Sequence, residues 1–500
     1  LGKFAILRGD SRAAADDFLV RALVIQNRLG NIQGQADVHN ALGIAYDQLG
    51  RIDEAAREYQ LAVDLRRRAG DERGVAASLA NLASIQRLQG NDEEARAALE
   101  EALLTLERIG DKRAIANLHN EIGYFEEQKG GYRAALGEYR EALRIRRELG
   151  DQRAIAESYN NVGFVYYMLG EYDNAAVYTE QARDLFESTG NPEGVMSAQQ
   201  TLGLLEVARG AWQDAQKAYL AALETSRSLG SEQAEAVSLG NLGRIAQYQG
   251  RYEAAAASYA QALALLEEAG DRRGLTEFTL YEASLKLELG QLGEGSARLD
   301  RAQEWLNADT NSEQQSMLER LRGASLLASG DLQAARAALK RAMDSAAASG
   351  SIVARLESTL GLAEIDLALD EAVSARERLI ELRREADSIR HTVLQLRSGE
   401  SLARAEWALD RPAEAEAAVR AALRRARDHE PYAGAWRLHL LLGEFLQQTG
   451  RAEAALAEWR AGAAEVARLK DNLDPTAAES FTGQTEVRKL ALATALDPAA

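Results

Sequence analysis

Few side chains in this 500-residue sequence stand at spacings that support catalysis. There is no G-x-x-x-x-G-K-[ST] loop to cradle phosphates, no H-E-x-x-H pair to hold zinc, no G-x-S-x-G turn to expose a nucleophile and no G-x-G-x-x-G fingerprint. Gly290, Gly293 and Gly295 mark only a helix turn by position. Cysteine is absent, which removes thiolate nucleophiles, disulfides and Cys-based zinc sites. His39 and His119 share one slot of a pattern but lie two repeats apart. With stacked helices about 8–10 Å apart, the two are roughly 20 Å or more from each other, whereas zinc needs its ligands at about 2.0–2.1 Å. Packing is their expected role. The carboxylate pairs Glu93-Glu94 and Glu126-Glu127 are adjacent, and neighbours on a helix do not face one another, so a solvated face is expected. No catalytic residue, metal or cofactor is therefore expected, and the chain is read as a non-enzyme.

The formal charge of −18 repels phosphate backbones and anionic membrane surfaces. Nucleic acid is thus not an expected partner, and the acidity serves either solubility or the steering of a basic ligand. No apolar run approaches the roughly 20 residues that span a bilayer, and no secretory signal begins the chain. A cytoplasmic location is expected. Because the chain starts at Leu1 inside a helical pattern, a preceding segment is expected too.

Binding, not catalysis, must then be built from the elements that carry the polar residues, and glycine reveals them. Gly30, Gly70, Gly110, Gly150, Gly190, Gly230, Gly270 and Gly350 are spaced by forty residues or multiples of forty. A second series, Gly50, Gly90, Gly130, Gly170, Gly210, Gly250, Gly290 and Gly330, falls halfway between, with Asp370 and Asp410 in two later slots before Gly450. Each unit is therefore two helices, and with 46% hydrophobic residues and only 5 Pro the composition favours helix throughout. At Gly70-Asp71, Gly110-Asp111, Gly150-Asp151 and Gly270-Asp271 the glycine ends one helix and the aspartate caps the next. At the mid-repeat turns, Ile52 and Tyr172 are expected to pack under the chain while Asp53 and Asp173 cap the second helix.

Leu42, Gly43, Tyr46, Ala55, Tyr59 and Ala62 recur as Leu242, Gly243, Ala255, Tyr259 and Ala262, and in part as Val162, Gly163, Tyr166, Ala175 and Ala182. This L-G-x-x-Y … A-x-x-x-[FY]-x-x-A pattern resembles the tetratricopeptide repeat family. The resemblance implies an all-α, right-handed superhelical solenoid of antiparallel helix pairs, with about eleven full repeats and a partial one at the N-terminus. The family's common unit is shorter. The forty-residue form with Gly-Asp junctions is more similar to repeats of LGN/Pins-type spindle adaptors and of bacterial signalling proteins, and the preference for Arg and Ala over Lys favours the bacterial comparison. The expected organisation is a regular block over 1–306, an irregular junction at 307–312, a divergent block over 313–470 and a capping segment over 471–500. At the junction, Gly293, Gly295 and the polar run from Asn307 to Asn311 mark a hinge, a change of curvature or a degenerate repeat in a continuous stack. In the cap, Phe481, Val487, Leu490 and Leu492 are expected to face inward.

In the family the first helix of each unit lines the concave face. That resemblance puts Asn40, Asn81, Asn120, Asn160, Asn161 and Asn241 on or beside a partner-binding groove, where amides match a peptide backbone, or else bond between helices. Ile44, Tyr124, Phe164, Leu204 and Tyr167 supply apolar contacts, and Arg244 a carboxylate anchor. The expected function is a scaffold for a protein or an extended peptide segment, serving a longer signalling protein. The alternatives are a ligand-sensing arm of a bacterial nucleotide-switch regulator or kinase, responding to a small inducer or foreign protein, and a self-assembling array.

Overall fold

The computed structural model describes residues 11–306, 312–429 and 431–495. It divides into two compact units, Leu1–Ser158 and Tyr159–Ala500. Among the described residues every regular element is a helix, most of 17 or 18 residues, as in Ile32–Gln48, Ile52–Ala69 and Glu72–Leu88. The junction expected at residues 307–311 lies outside the described residues. Gly293 and Gly295 do not break their helix, Leu292–Leu306, because Gly295 gives space to Leu287.

In the first unit the Gly-Asp dipeptide both ends and starts helices. Gly70 adopts φ +72°, its N–H and that of Asp71 return to the carbonyls of Arg67 and Arg66, and Asp71 Oδ1 accepts from Gly74 N at 2.9 Å. Asp53 does not cap. The N-cap is Arg51, with no side-chain bond, and Asp53 sits in the first turn and accepts from Gln89 at 2.9 Å; there its charge still meets the positive end of the helix dipole. In two of these pairs the helical glycine receives an aromatic ring: a Cβ on Gly43 would stand 2.6 Å from Tyr59, and one on Gly123 2.7 Å from Tyr139. A helix-interior Gly costs about 1 kcal/mol relative to Ala, and the fully packed Tyr59 offsets it. Two units carry a device that composition does not announce. Buried Arg66 donates to Gly74 O at 2.8 Å, Ser78 Oγ at 2.7 Å and Asp37 at 3.0 Å, and Arg146 repeats this on Ala154 O, Ser158 Oγ and Asn117.

The second unit repeats the same helix pairs, and Asp370 and Asp410 take the left-handed conformation of the glycines they replace, with φ 60° and 58°. Its successive turns also meet. Trp212 Nε1 donates to His429 O at 2.8 Å across 217 residues, and Arg390 pairs with Asp173 at 3.2 Å. Thr392 Oγ1 donates to Arg209 O, Ala433 N to Tyr248 O, and Arg468 to Gln249 O across 219 residues. The offsets run from 183 to 219 residues, between four and six forty-residue repeats, so the mid-repeat turns at Gly170, Gly210 and Gly250 seat on the coil that follows. The terminal helices Pro475–Gly483 and Thr485–Thr494 continue this seam. Phe481 is fully buried with ring contacts to Tyr252 and Trp436 at 6.3 and 6.2 Å, and Gln484 donates to Glu288 O. Val487 and Leu490 face inward, but Leu492 is 71% exposed, contrary to its expected place. The ten-residue helix has only a narrow buried stripe, and 492 falls outside it.

Candidate functional site on the inner face of residues 159–500

Side chains three or four positions apart share one face of a helix. In the helix Arg272–Glu288 that stripe carries Glu277, Tyr281, Ser284 and Glu288, and the corresponding stripe of Glu232–Tyr248 carries Arg244 and Tyr248. Because the second unit closes on itself along the seam, these stripes face a common interior. The Arg244 guanidinium acts electrostatically on Tyr167, Glu277, Tyr281, Glu357 and His391, groups from four other helices or their caps.

Arg244 is half-buried, with Cζ 4.9 Å from the Tyr281 ring centre and Nη1 donating to Asn241 Oδ1 at 3.4 Å. Its Nε is shielded and has no hydrogen-bond partner among the described residues. Burial raises the Glu277 carboxyl above its ordinary range, with Arg244 opposing, and burial with the charge of Glu277 raises Glu313. Burial also works to raise Glu357, but Arg320, at 3.0 Å, and Arg397 hold it below its ordinary value. Burial pushes the Tyr167 phenol up to about 12, so it remains a hydrogen-bond donor at neutral pH. Tyr167 stacks on Tyr172 at 5.7 Å and lies 6.4 Å from Phe164. The face thus offers aromatic surfaces, phenolic donors and both signs of charge in a partly desolvated space, where ionic contacts are stronger than in water.

His391 borders this face, buried against Tyr172, and its Nδ1 accepts from Leu394 N at 3.4 Å as the helix N-cap. Burial depresses it to about 4, with Glu357 opposing. The unfolded chain therefore binds the proton first, so stability from this group is complete above about 6.5 and is lost as pH falls towards about 4. The loss amounts to at most about 3 kcal/mol. In urea titrations between pH 4 and 7, His391→Asn should keep the cap and flatten this slope; an unchanged slope would assign it elsewhere.

The other sequence-marked residues divide by unit. In the first, Asn40 Oδ1 accepts from Ser78 and from Asn81 Nδ2 at 3.3 Å, so these two amides meet each other; Ile44 is half-buried against the core, Asn120 is half-buried and Tyr124 is 44% exposed. In the second, Asn160 donates to Ser197 at 3.1 Å while its Oδ1 is shielded and unpartnered, and Asn161 is half-buried. Asn241 is buried, donating to Val237 O and supporting Arg244, and Leu204 packs beside Trp212. Phe164, Tyr167 and Arg244 are brought onto the one face. His39 and His119 bond to Glu58 and Glu138, each 19 residues on, and His439 does the same with Glu458. Sequence reasoning missed Glu277, Tyr281, Glu313, Glu357 and His391. Glu277, Glu357 and Arg397 share one slot of the forty-residue register, which was the available signal.

These helix pairs make the chain a tetratricopeptide repeat protein, and a general tetratricopeptide repeat family matches residues 34–107. The family described as the MalT-like TPR region matches residues 135–433, more than half the chain, and the chain belongs to it. Among solved structures the chain is similar to a Rap protein complexed with Competence and Sporulation Factor, at 15% identity and a TM-score of 0.54, covering 71% of this chain and 98% of that one. It also matches the apo form of RapI, at 18% identity and a TM-score of 0.44 over 55% of this chain and 99% of that one. BtubC (BKLC) from P. vanneervenii matches at 20% identity and a TM-score of 0.34, over 51% and 94% of the two chains. No curated protein matches. Among the described residues, no helix is long and apolar enough to cross a membrane.

Proposed function

We propose that the chain is a non-catalytic binding scaffold whose inner face, over residues 159–500, takes an extended segment of a protein or a peptide. One observation carries the reading: Phe164, Tyr167, Tyr281 and Arg244 converge on a half-buried face where a closed core would place packed aliphatic side chains. The repeat family and the fold shared with a Rap protein complexed with Competence and Sporulation Factor support it. Asn160, Asn161 and Leu204 extend the groove along the neighbouring helices, and in the first unit Asn40, Asn81, Asn120, Ile44 and Tyr124 form a separate candidate surface. A second reading, a sensing arm for a small ligand, is favoured by the seam, which encloses the interior.

The test is retention of a random library of blocked heptapeptides on the immobilised full chain. The double variant Phe164→Ala, Tyr167→Ala, checked for native helicity, should retain about tenfold less, as expected when aromatic anchors are lost. Equal retention by the folded variant would remove the inner-face assignment, and retention by neither protein would favour the small-ligand reading.

A further inference from the structure

On the inner face of the second unit, a segment outside the repeats meets residues of the repeat slots. Arg404 stands in the forty-residue slot of Phe164 and Arg244, and Arg437 in that of Glu277 and Glu357, so both project towards the interior. The carboxylate they meet is Glu486, in the first turn of the terminal helix Thr485–Thr494. Its Oε1 accepts from Arg404 Nη2 at 3.0 Å, while its Oε2 stays 3.8 Å from Arg437 Nε. Lys489 of the same helix lies 3.9 Å from Glu444, which shares the slot of Arg404.

Glu486 uses only part of what the two arginines offer. Arg437 is half-buried with Cζ 5.0 Å from the Trp436 ring centre, and its guanidinium makes no hydrogen bond among the described residues. Arg404 divides one nitrogen, Nη2, between Glu486 and Glu400 at 3.1 Å, and its other two nitrogens make no hydrogen bond among the described residues. The tether explains the loose fit: Phe481 is fully buried in the preceding helix, and Gln484, extended at φ −63° and ψ 143°, leads directly into Thr485. A carboxylate on a separate segment meets no such restraint and can engage a guanidinium bidentately. The contact is also weak. Glu486 and Arg404 are 39% and 35% exposed, where an ion pair adds little. Their helix has no side-chain cap and buries only Val487 and Leu490.

We propose that the terminal helix is an internal competitor in the groove: Glu486 occupies the seat that Arg404 and Arg437 offer to an acidic side chain of the bound segment, and that segment displaces it. The inference rests on the peptide-binding reading above and adds a ligand feature, a carboxylate towards the C-terminal end of the groove, together with a brake on affinity. A competitor lowers affinity according to its occupancy, by about fivefold at most for a part-exposed ion pair.

Retention of the blocked heptapeptide library on the immobilised full chain, with the retained fraction sequenced by mass spectrometry, tests it. Glu486→Gln should raise retention of peptides containing Asp or Glu by about threefold to fivefold and leave the others unchanged. Arg404→Gln with Arg437→Gln, in a protein of native helicity, should remove the preference for acidic peptides. On the wild type, hydrogen exchange across Thr485–Thr494 should quicken when the retained acidic peptides are added, a response that a purely structural ion pair would not give. Equal retention of acidic peptides by wild type and Glu486→Gln, or exchange that the peptides leave unchanged, overturns the proposal while peptide binding stands. Failure of every protein to retain any peptide overturns both.

Discussion

Replacing Trp212 by Ala is expected to destabilise the protein by about 4–5 kcal/mol, towards the upper end for truncation of a buried aromatic. Trp212 is fully buried, stacks on Tyr248 at 5.2 Å and donates Nε1–H to His429 O at 2.8 Å. Three losses coincide: a large cavity, a ring contact worth about 0.5–1.5 kcal/mol and a hydrogen bond worth about 1 kcal/mol. Because His429 belongs to the following coil, the damage should localise. Hydrogen exchange should quicken at residues 429–433 as well as around 212, while Ile32–Gln48 keeps its protection. Exchange confined to the neighbourhood of 212 would mean that the seam contributes nothing.

The second prediction compares two glycines in the same backbone conformation. Gly230, at φ +66°, has nothing within 4 Å of an added Cβ. Gly230→Ala should therefore lose only the left-handed penalty, about 1–2 kcal/mol. Gly250, at φ +74°, would drive its Cβ into Leu469 Cδ2 of the succeeding coil, and Leu469 is fully buried and cannot swing away. Gly250→Ala should add an overpacking cost of about 1–3 kcal/mol to the same backbone term. Denaturant melts of the two variants therefore isolate the seam. Equal losses would contradict it.

That contrast also marks what can be read from residues alone. The forty-residue period, the Gly-Asp junctions and the pairing of Gly43 with Tyr59 are local, set by φ preference, capping and complementary side-chain size, and they follow from the sequence. Asp370 and Asp410 were legible for the same reason: they fill glycine slots. Asp53 was assigned to the cap although the helix begins one residue after Arg51, an error of two positions at a boundary. The seam was not legible. Its offset of 183–219 residues results from small rotations between neighbouring repeats summed over about five units, and no single residue encodes that sum.

The inner face shows the same division. Phe164 and Arg244 were singled out because they share one repeat slot, and Tyr167 stands three residues beyond Phe164 on the same helix face. Glu313 and His391 were not, since their importance depends on facing Arg244 or its neighbours from helices that are distant in sequence. The asparagine ladder illustrates the converse. Asn81 and Asn241 occupy the same slot of the forty-residue register, yet Asn81 donates to Asn40 whereas Asn241 lies buried and accepts from Arg244, so one residue type in one slot reaches quite different surroundings.

Photo-cross-linking tests the central claim most directly. A photo-reactive phenylalanine analogue is placed in the full chain either at Phe164, on the inner face, or at Val177, which is 50% exposed on the partner helix Tyr172–Ser188. Each protein is irradiated with the peptide pool that the wild type retains. Adducts at position 164 and none at 177 are the expected result; adducts at 177 alone would place the ligand outside the interior and contradict the account.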